Sequence, residues 1–194
     1  MQQRRSNLER TEATRTALLQ AARALFVEKG YAETSTPEIV AAARVTRGAL
    51  YHHFTDKRDL FLAVLEREAQ AVAGETEASG SPDLPPRDAL LHGSLAYLNA
   101  MSVPGRTRLL LIEGPAVLGP RQAAAIDEAH PARTLREGLE AVAGSLRDPF
   151  PIAAMTALLS AAFDRAALAI AEGADPVAFE TAMIRLVERV TASG

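Results

Sequence analysis

Cysteine is absent, and with it any disulfide framework, thiolate metal site or thiol nucleophile. Aromatic residues make up only 5% of the chain, while Ala, Leu, Arg and Glu dominate, a composition that suits packed helices rather than sheets. The charged stretch from Met1 to Arg15 lacks the apolar core of a signal peptide. The longest charge-free stretch, Ala89 to Gly105, contains His, Ser, Asn, Pro and Gly, so it does not read as a membrane span. There is no Gly-x-Ser-x-Gly elbow, His-Glu-x-x-His pair, phosphate loop or dinucleotide fingerprint, which argues against an enzyme, and no cofactor is expected. His52 and His53 are neighbours on a helix and point apart, a poor metal pair. No internal repeat or low-complexity tract occurs. These absences leave an all-α protein with no membrane association, expected in a reducing cytoplasm.

What is present is unevenly charged. The net charge of −3 conceals a basic head, in which residues 1–58 carry 10 Lys+Arg against 6 Asp+Glu, and an acidic remainder with 11 against 18. A chance fluctuation gives the same counts, but the pattern suits a protein that meets phosphate with one end. At 194 residues the chain is either one large domain or a small domain fused to a larger one.

Periodicity predicts about nine helices. Leu18, Ala22, Leu25 and Phe26 place the first over residues 11–29, with Gly30 as its stop and Tyr31 folding back apolar surface. Thr36 reads as the cap of a short second helix with Pro37 at its first position, and Thr46 as the cap of a third over 47–54. Asp56 caps a fourth, which runs from Lys57 to about Ala78. Residues 80–86 are the clearest loop. Further helices are predicted over 87–103, 105–113, 121–146, 152–172 and 176–191, with Pro131 kinking or splitting the third of these. The division drawn from this pattern is a head of residues 1–56 and a helical body of residues 57–194.

Two short helices after a longer one make the helix-turn-helix plan. Val45, Leu50 and Phe54 can hold the second short helix from behind, leaving Thr46, Arg47, Gly48, Tyr51, His52 and His53 outward, with Lys57 at the next helix start. From Gly30-Tyr31 through Tyr51-His52-His53-Phe54 and Lys57 to Leu60-Phe61, the chain resembles the DNA-binding domain of the TetR family over residues 11–61. The resemblance implies that Thr36, Thr46, Arg47, Tyr51, His53 and Lys57 touch phosphates, and that Arg47, Gly48 and His52 lie nearest base edges. Arg47 could pair with guanine O6 and N7 or with a phosphate, and both readings stand open. Gly48 either permits close approach to the groove wall or is simply a small residue that is tolerated. The chain departs from the family in carrying Arg44 where Gly is usual in the turn and Val40 where Ala is usual; Arg44 either bears a strained positive φ or avoids it, and it could add a phosphate contact.

The resemblance further implies a body that holds a ligand pocket and dimerises through its last two helices. Leu158, Leu159, Phe163, Phe179, Met183, Leu186 and Val187 are the expected homodimer residues; the bland alternative is that they only close the monomer core. Pocket candidates are Tyr97, Met101, Glu113 and Phe163, with Asp164, His92, Asn99, His130 and Arg165 as other polar groups near apolar runs. The function so implied is that of a ligand-responsive regulator, most simply a repressor. It would bind a palindromic double-stranded operator with half-sites about 34 Å apart and be released by an unknown small-molecule inducer. The alternative is a helical adaptor that binds protein rather than DNA.

Overall fold

The computed structural model describes residues 2–81, 83–144 and 150–192, with side chains from residue 9 onward. Pro82 of the predicted loop and Leu146, where the 121–146 helix was expected to end, lie outside these. Ten helices and no strand occur among the described residues: α1 (Gln2–Glu33), α2 (Thr36–Ala42), α3 (Arg47–His53), α4 (Lys57–Ala78), α5 (Pro86–Met101), α6 (residues 106–118), α7 (Pro120–Ala129), α8 (Pro131–Ala143), α9 (Ile152–Ala171) and α10 (Pro176–Val190). The tenth arises because the 121–146 segment divides at His130, whose backbone leaves the helical region before Pro131 restarts it.

The first four helices follow their punctuation. α1 is broken at Gly30, whose φ of 84° and ψ of 167° only glycine holds without strain. Tyr31 then turns back beneath Phe61, ring centroids 4.9 Å apart, and Phe26 meets Phe61 edge-on at 5.0 Å. α2 begins one residue earlier than its predicted cap. Ser35, not Thr36, is the N-cap, because Glu38 three residues on completes a capping box by accepting from the Ser35 backbone N–H and hydroxyl. Thr46 caps α3 and Asp56 caps α4, as their side-chain types predict.

One apolar cluster underlies the head and runs on into the body, joining Leu18, Phe26, Ile39, Leu50, Phe54 and Phe61 to Leu109, Leu118 and Ile126. A second cluster fills the body around Leu98, Leu139, Leu159, Phe163 and Val187. α4, about 33 Å long at 1.5 Å per residue, contributes to both. Where α1 crosses α4 and α6, a buried ion network replaces apolar packing. Glu68 accepts from Arg23 through both carboxylate oxygens (2.8 and 3.0 Å) and from Arg106 (3.1 Å), while Arg106 also donates to Glu75 and to the Ala100 carbonyl.

α6 is not uniform. Leu109–Glu113 is wound as a π-helix between α-helical turns, which inserts one residue relative to a regular helix. Glu113 at its end reaches across to the head: its carboxylate accepts the Tyr31 backbone N–H at 2.9 Å and pairs with Arg108 at 2.6 Å. Glu113, a sequence-predicted pocket residue, lines none of the body's cavities described below; its carboxylate instead joins head to body.

The expected dimer residues also divide. Leu159, Phe163, Met183 and Val187 are buried inside the protomer and Phe179 is half-buried against the same core, so these five close the body. Leu158, 68% exposed, and Leu186, 41% exposed, do face outward. α9 is the helix among the described residues that is long and apolar enough to cross a membrane; one face packs on α8 and α10, and a third of its apolar window is buried.

Candidate nucleic-acid interface and ligand cavities

α3 is pinned from behind by Leu50 and Phe54, both buried, with half-buried Val45 packed beside them. Arg15 on α1 adds a guanidinium 5.5 Å from the centre of the Phe54 ring. The turn before α3 passes through Arg44 at φ 56°, so the left-handed conformation is present and is borne by a non-glycine residue.

On the outward face the sequence-predicted residues come together. Thr46, Arg47, Gly48, Tyr51 and His52 are exposed, and Thr36 and His53 are half-buried at its edges. The Arg47 guanidinium lies 5.5 Å from the centre of the Tyr51 ring, one helical turn on. Hydrogen bonding with Arg47, and then with Thr36, holds the Tyr51 phenol below its ordinary pKa, so the phenolic oxygen, the Thr36 hydroxyl and the guanidinium form one patch across α2 and α3. A Cβ at Gly48 would meet only the Thr46 hydroxyl, at 3.9 Å, so nothing in the protein's own packing demands glycine there. Burial lowers the His53 pKa, helped by the adjoining His52 and Arg15, which favours the neutral imidazole. The Thr46 hydroxyl is engaged in capping, accepting the Ala49 N–H at 3.1 Å.

Lys57 sits differently from its neighbours. Its ammonium donates to the carbonyls of Tyr31 and Thr34, both at 2.9 Å, and lies 4.1 Å from the centre of the Tyr31 ring. Two of its three donors therefore tie the end of α1 to the start of α4. The sequence carried no sign of this, because the two carbonyls are more than twenty residues away along the chain.

Behind the head the body contains half-open cavities of about 410 and 330 Å³. The larger is lined by Leu90, Ser94, Tyr97 and Phe163, and at one end by Thr76 and Glu77 of α4. The smaller is lined by Leu65 and Ala69 of α4, Tyr97, Met101, and Leu110 and Leu111 of the π-helical stretch. Of the sequence-predicted pocket residues, Tyr97, Met101 and Phe163 thus line cavity walls, Tyr97 lining both. Its ring meets Phe163 edge-on at 5.5 Å, and its hydroxyl donates to Asp164 at 2.6 Å. Asp127 and Ser160 also line these walls and were missed, because neither stands out from the polar residues around it in sequence.

Residues 18–64 match the family described as bacterial regulatory proteins, tetR family, and residues 87–193 match the tetracyclin repressor-like C-terminal domain. The transcriptional repressor BepR of Brucella suis is 45% identical over 64 residues, which span 33% of this chain and 30% of that protein. The transcriptional regulator AcrR of Shigella flexneri is 36% identical over 113 residues, 55% of this chain and 50% of that one. The matches to these curated relatives thus span about a third to a half of their length. Among solved structures, a TetR-family transcriptional regulator from Pectobacterium atrosepticum is 29% identical and superposes with a TM-score of 0.71, covering 94% of each chain.

Proposed function

The chain belongs to the TetR family, and from that premise we propose that it is a ligand-responsive transcriptional regulator of the cytoplasm, most simply a repressor, that grips a palindromic operator as a homodimer. The observation that carries this reading is the outward face of α3. It is held rigid by Leu50 and Phe54, and it presents Arg47, Gly48, Tyr51 and His52 uncovered. Such a rod fits the major groove. Thr36, Tyr51 and the edge residue His53 are placed for phosphates, Arg47 for a base edge or a phosphate, and Gly48 for close approach. Lys57, with one N–H left over, acts mainly by fixing the angle at which α4 leaves the head.

The route from effector to DNA runs through two elements. α4 begins beneath the head and supplies Leu65, Ala69, Thr76 and Glu77 to the cavity walls. The π-helical stretch supplies Leu110 and Leu111 to the smaller cavity and Glu113 to the Tyr31 N–H. An effector that prefers a shifted position of these elements changes the spacing of the two heads in a dimer, and it weakens DNA binding by the factor by which DNA weakens its own. The homodimer face proposed is the outer stripe of α9 and α10, where Ala154, Leu158, Ala161, Ala178, Ala182 and Leu186 are exposed.

The test is fluorescence anisotropy with duplexes from the DNA flanking the gene. Tight binding to one palindromic duplex is expected, at least about a thousandfold over random sequence. With four or more phosphates neutralised, log K should fall with log salt at a slope of roughly −4 or steeper. Arg47→Ala should weaken binding to that duplex by about tenfold or more, with loss of preference if it reads a base and a uniform loss if it holds a phosphate. Salt-independent binding, or Arg47→Ala binding like the parent, defeats the reading.

A further inference from the structure

Three cavities of the body converge on one polar cluster. Tyr97 of α5 lines those of about 410 and 330 Å³; Asp127 of α7 and Asp164 of α9 line the second and a third, a surface groove of about 400 Å³ whose lip includes exposed Ala157 and Ala161 of the proposed dimer side; Ser160 lines the first and the third. The hydrogen-bond donors to the two carboxylates are neutral: the Tyr97 hydroxyl to Asp164 at 2.6 Å and the Ser160 hydroxyl to Asp127 at 3.0 Å. Among the described residues neither carboxylate has an ion-pair partner. One turn before Ser160, the Thr156 Oγ1 is buried without a hydrogen-bond partner, on a residue only 8% exposed that lines the third cavity. Glu128 and Arg136 are the other charged residues of that cavity's wall, and Arg136 is exposed. Burial raises both carboxyl pKa values, that of Asp164 to about 6, with the charge of Asp127 adding to the rise.

Two half-buried carboxylates without a cation beside them are costly, and natural sites of this kind are completed by an opposite charge. The walls around them are apolar and aromatic: Met101, Leu110 and Leu168, with the Tyr97 and Phe163 rings close by. We propose that this cluster is the recognition point for an organic cation bearing at least one N–H and an apolar body. Its charge is held between Asp127 and Asp164, which the second and third cavities share, its body fills the second against Met101 and Leu110, and the Thr156 hydroxyl, turned out of its buried position, accepts its N–H. The proposal rests on the reading above that these cavities take the effector, and it names the effector's chemical class.

The test uses the full chain and three probes of one shape, 4-phenylbutylamine, 4-phenylbutanol and 4-phenylbutyrate, in calorimetric titrations. The amine is expected to bind about tenfold or more tighter than the alcohol, since a charge-assisted contact is worth at least that factor, and the carboxylate weakest. Asp127→Asn and Asp164→Asn should each narrow the gap between amine and alcohol. The affinity of the amine should rise from pH 5 to pH 7, as Asp164 ionises, and then level. Equal affinity for amine and alcohol, no binding of the amine at about 10 mM, or Asn variants that keep the full gap each overturn the proposal. DNA binding measured on the same preparations reports separately: its loss refutes the regulator reading, while its presence with an indifferent cavity refutes only the cation.

Discussion

Arg44 shows how a single residue can hold a backbone conformation that favours glycine, at a measurable cost. Its φ of 56° lies in the left-handed region, which disfavours a Cβ by about 1 kcal/mol. Arg44→Gly should therefore raise stability slightly, by about 0.5 kcal/mol after the extra freedom glycine gives the unfolded chain, as a shift in urea midpoint. The turn could be located in sequence from the helices on either side, but which conformation Arg44 takes could not, because both were compatible with the residues. Asp164 carries a second residue-scale expectation. Its folded pKa of about 6 lies above the ordinary 3.8, so between these values the native state holds the proton more tightly than the unfolded chain. Stability falls as pH rises through that window, and the penalty is complete above about pH 6. Asp164→Asn should then be more stable than the parent by up to about 3 kcal/mol at pH 7, with the difference vanishing below about pH 4; melting curves across pH check this. In sequence Asp164 was one of several polar residues near apolar runs, and only its neighbours in space set it apart.

Helices were legible wherever apolar residues recurred at helical spacing and Pro or Gly marked the ends. α4 runs from Lys57 to Ala78 as its stripe predicts, and Pro131 divides a long pattern into α7 and α8. The start of α2 was misplaced by one residue, although Ser35 and Glu38 stand at capping-box spacing in the sequence itself. Two features at this scale had no local signal. One is the network in which Glu68 binds Arg23 and Arg106, which joins residues far apart in the chain. Removing its central carboxylate leaves two guanidinium groups with a shared partner gone, one of them buried. Glu68→Ala should cost about 3 kcal/mol in equilibrium unfolding, well beyond a surface substitution. The other is the π-helical winding of Leu109–Glu113, whose apolar sequence resembles that of any core helix.

The whole-molecule plan, a small basic helical head on a larger body, was readable from charge distribution and from the residues around Tyr51. The outward stripe of α9 and α10, the proposed pairing face, was not legible residue by residue. α9 is apolar around most of its circumference, so sequence alone could not separate Leu159 and Phe163, which fill the core, from Leu158, which faces outward. The corrected stripe gives a sharper expectation. The double substitution Leu158→Asp, Leu186→Asp should yield a folded monomer in sedimentation velocity, whereas a dimer that survives it would move the interface elsewhere. One consequence of the winding at Leu109–Glu113 operates on this scale. The extra residue turns everything after it by about 100° relative to a regular helix, and that offset aims the Glu113 carboxylate at the Tyr31 amide. Excising exposed Ile112 would restore the ordinary pitch and unclasp that bond. On the proposed route the body would then reach the head through α4 alone, so the factor by which effector and DNA weaken each other's binding should shrink.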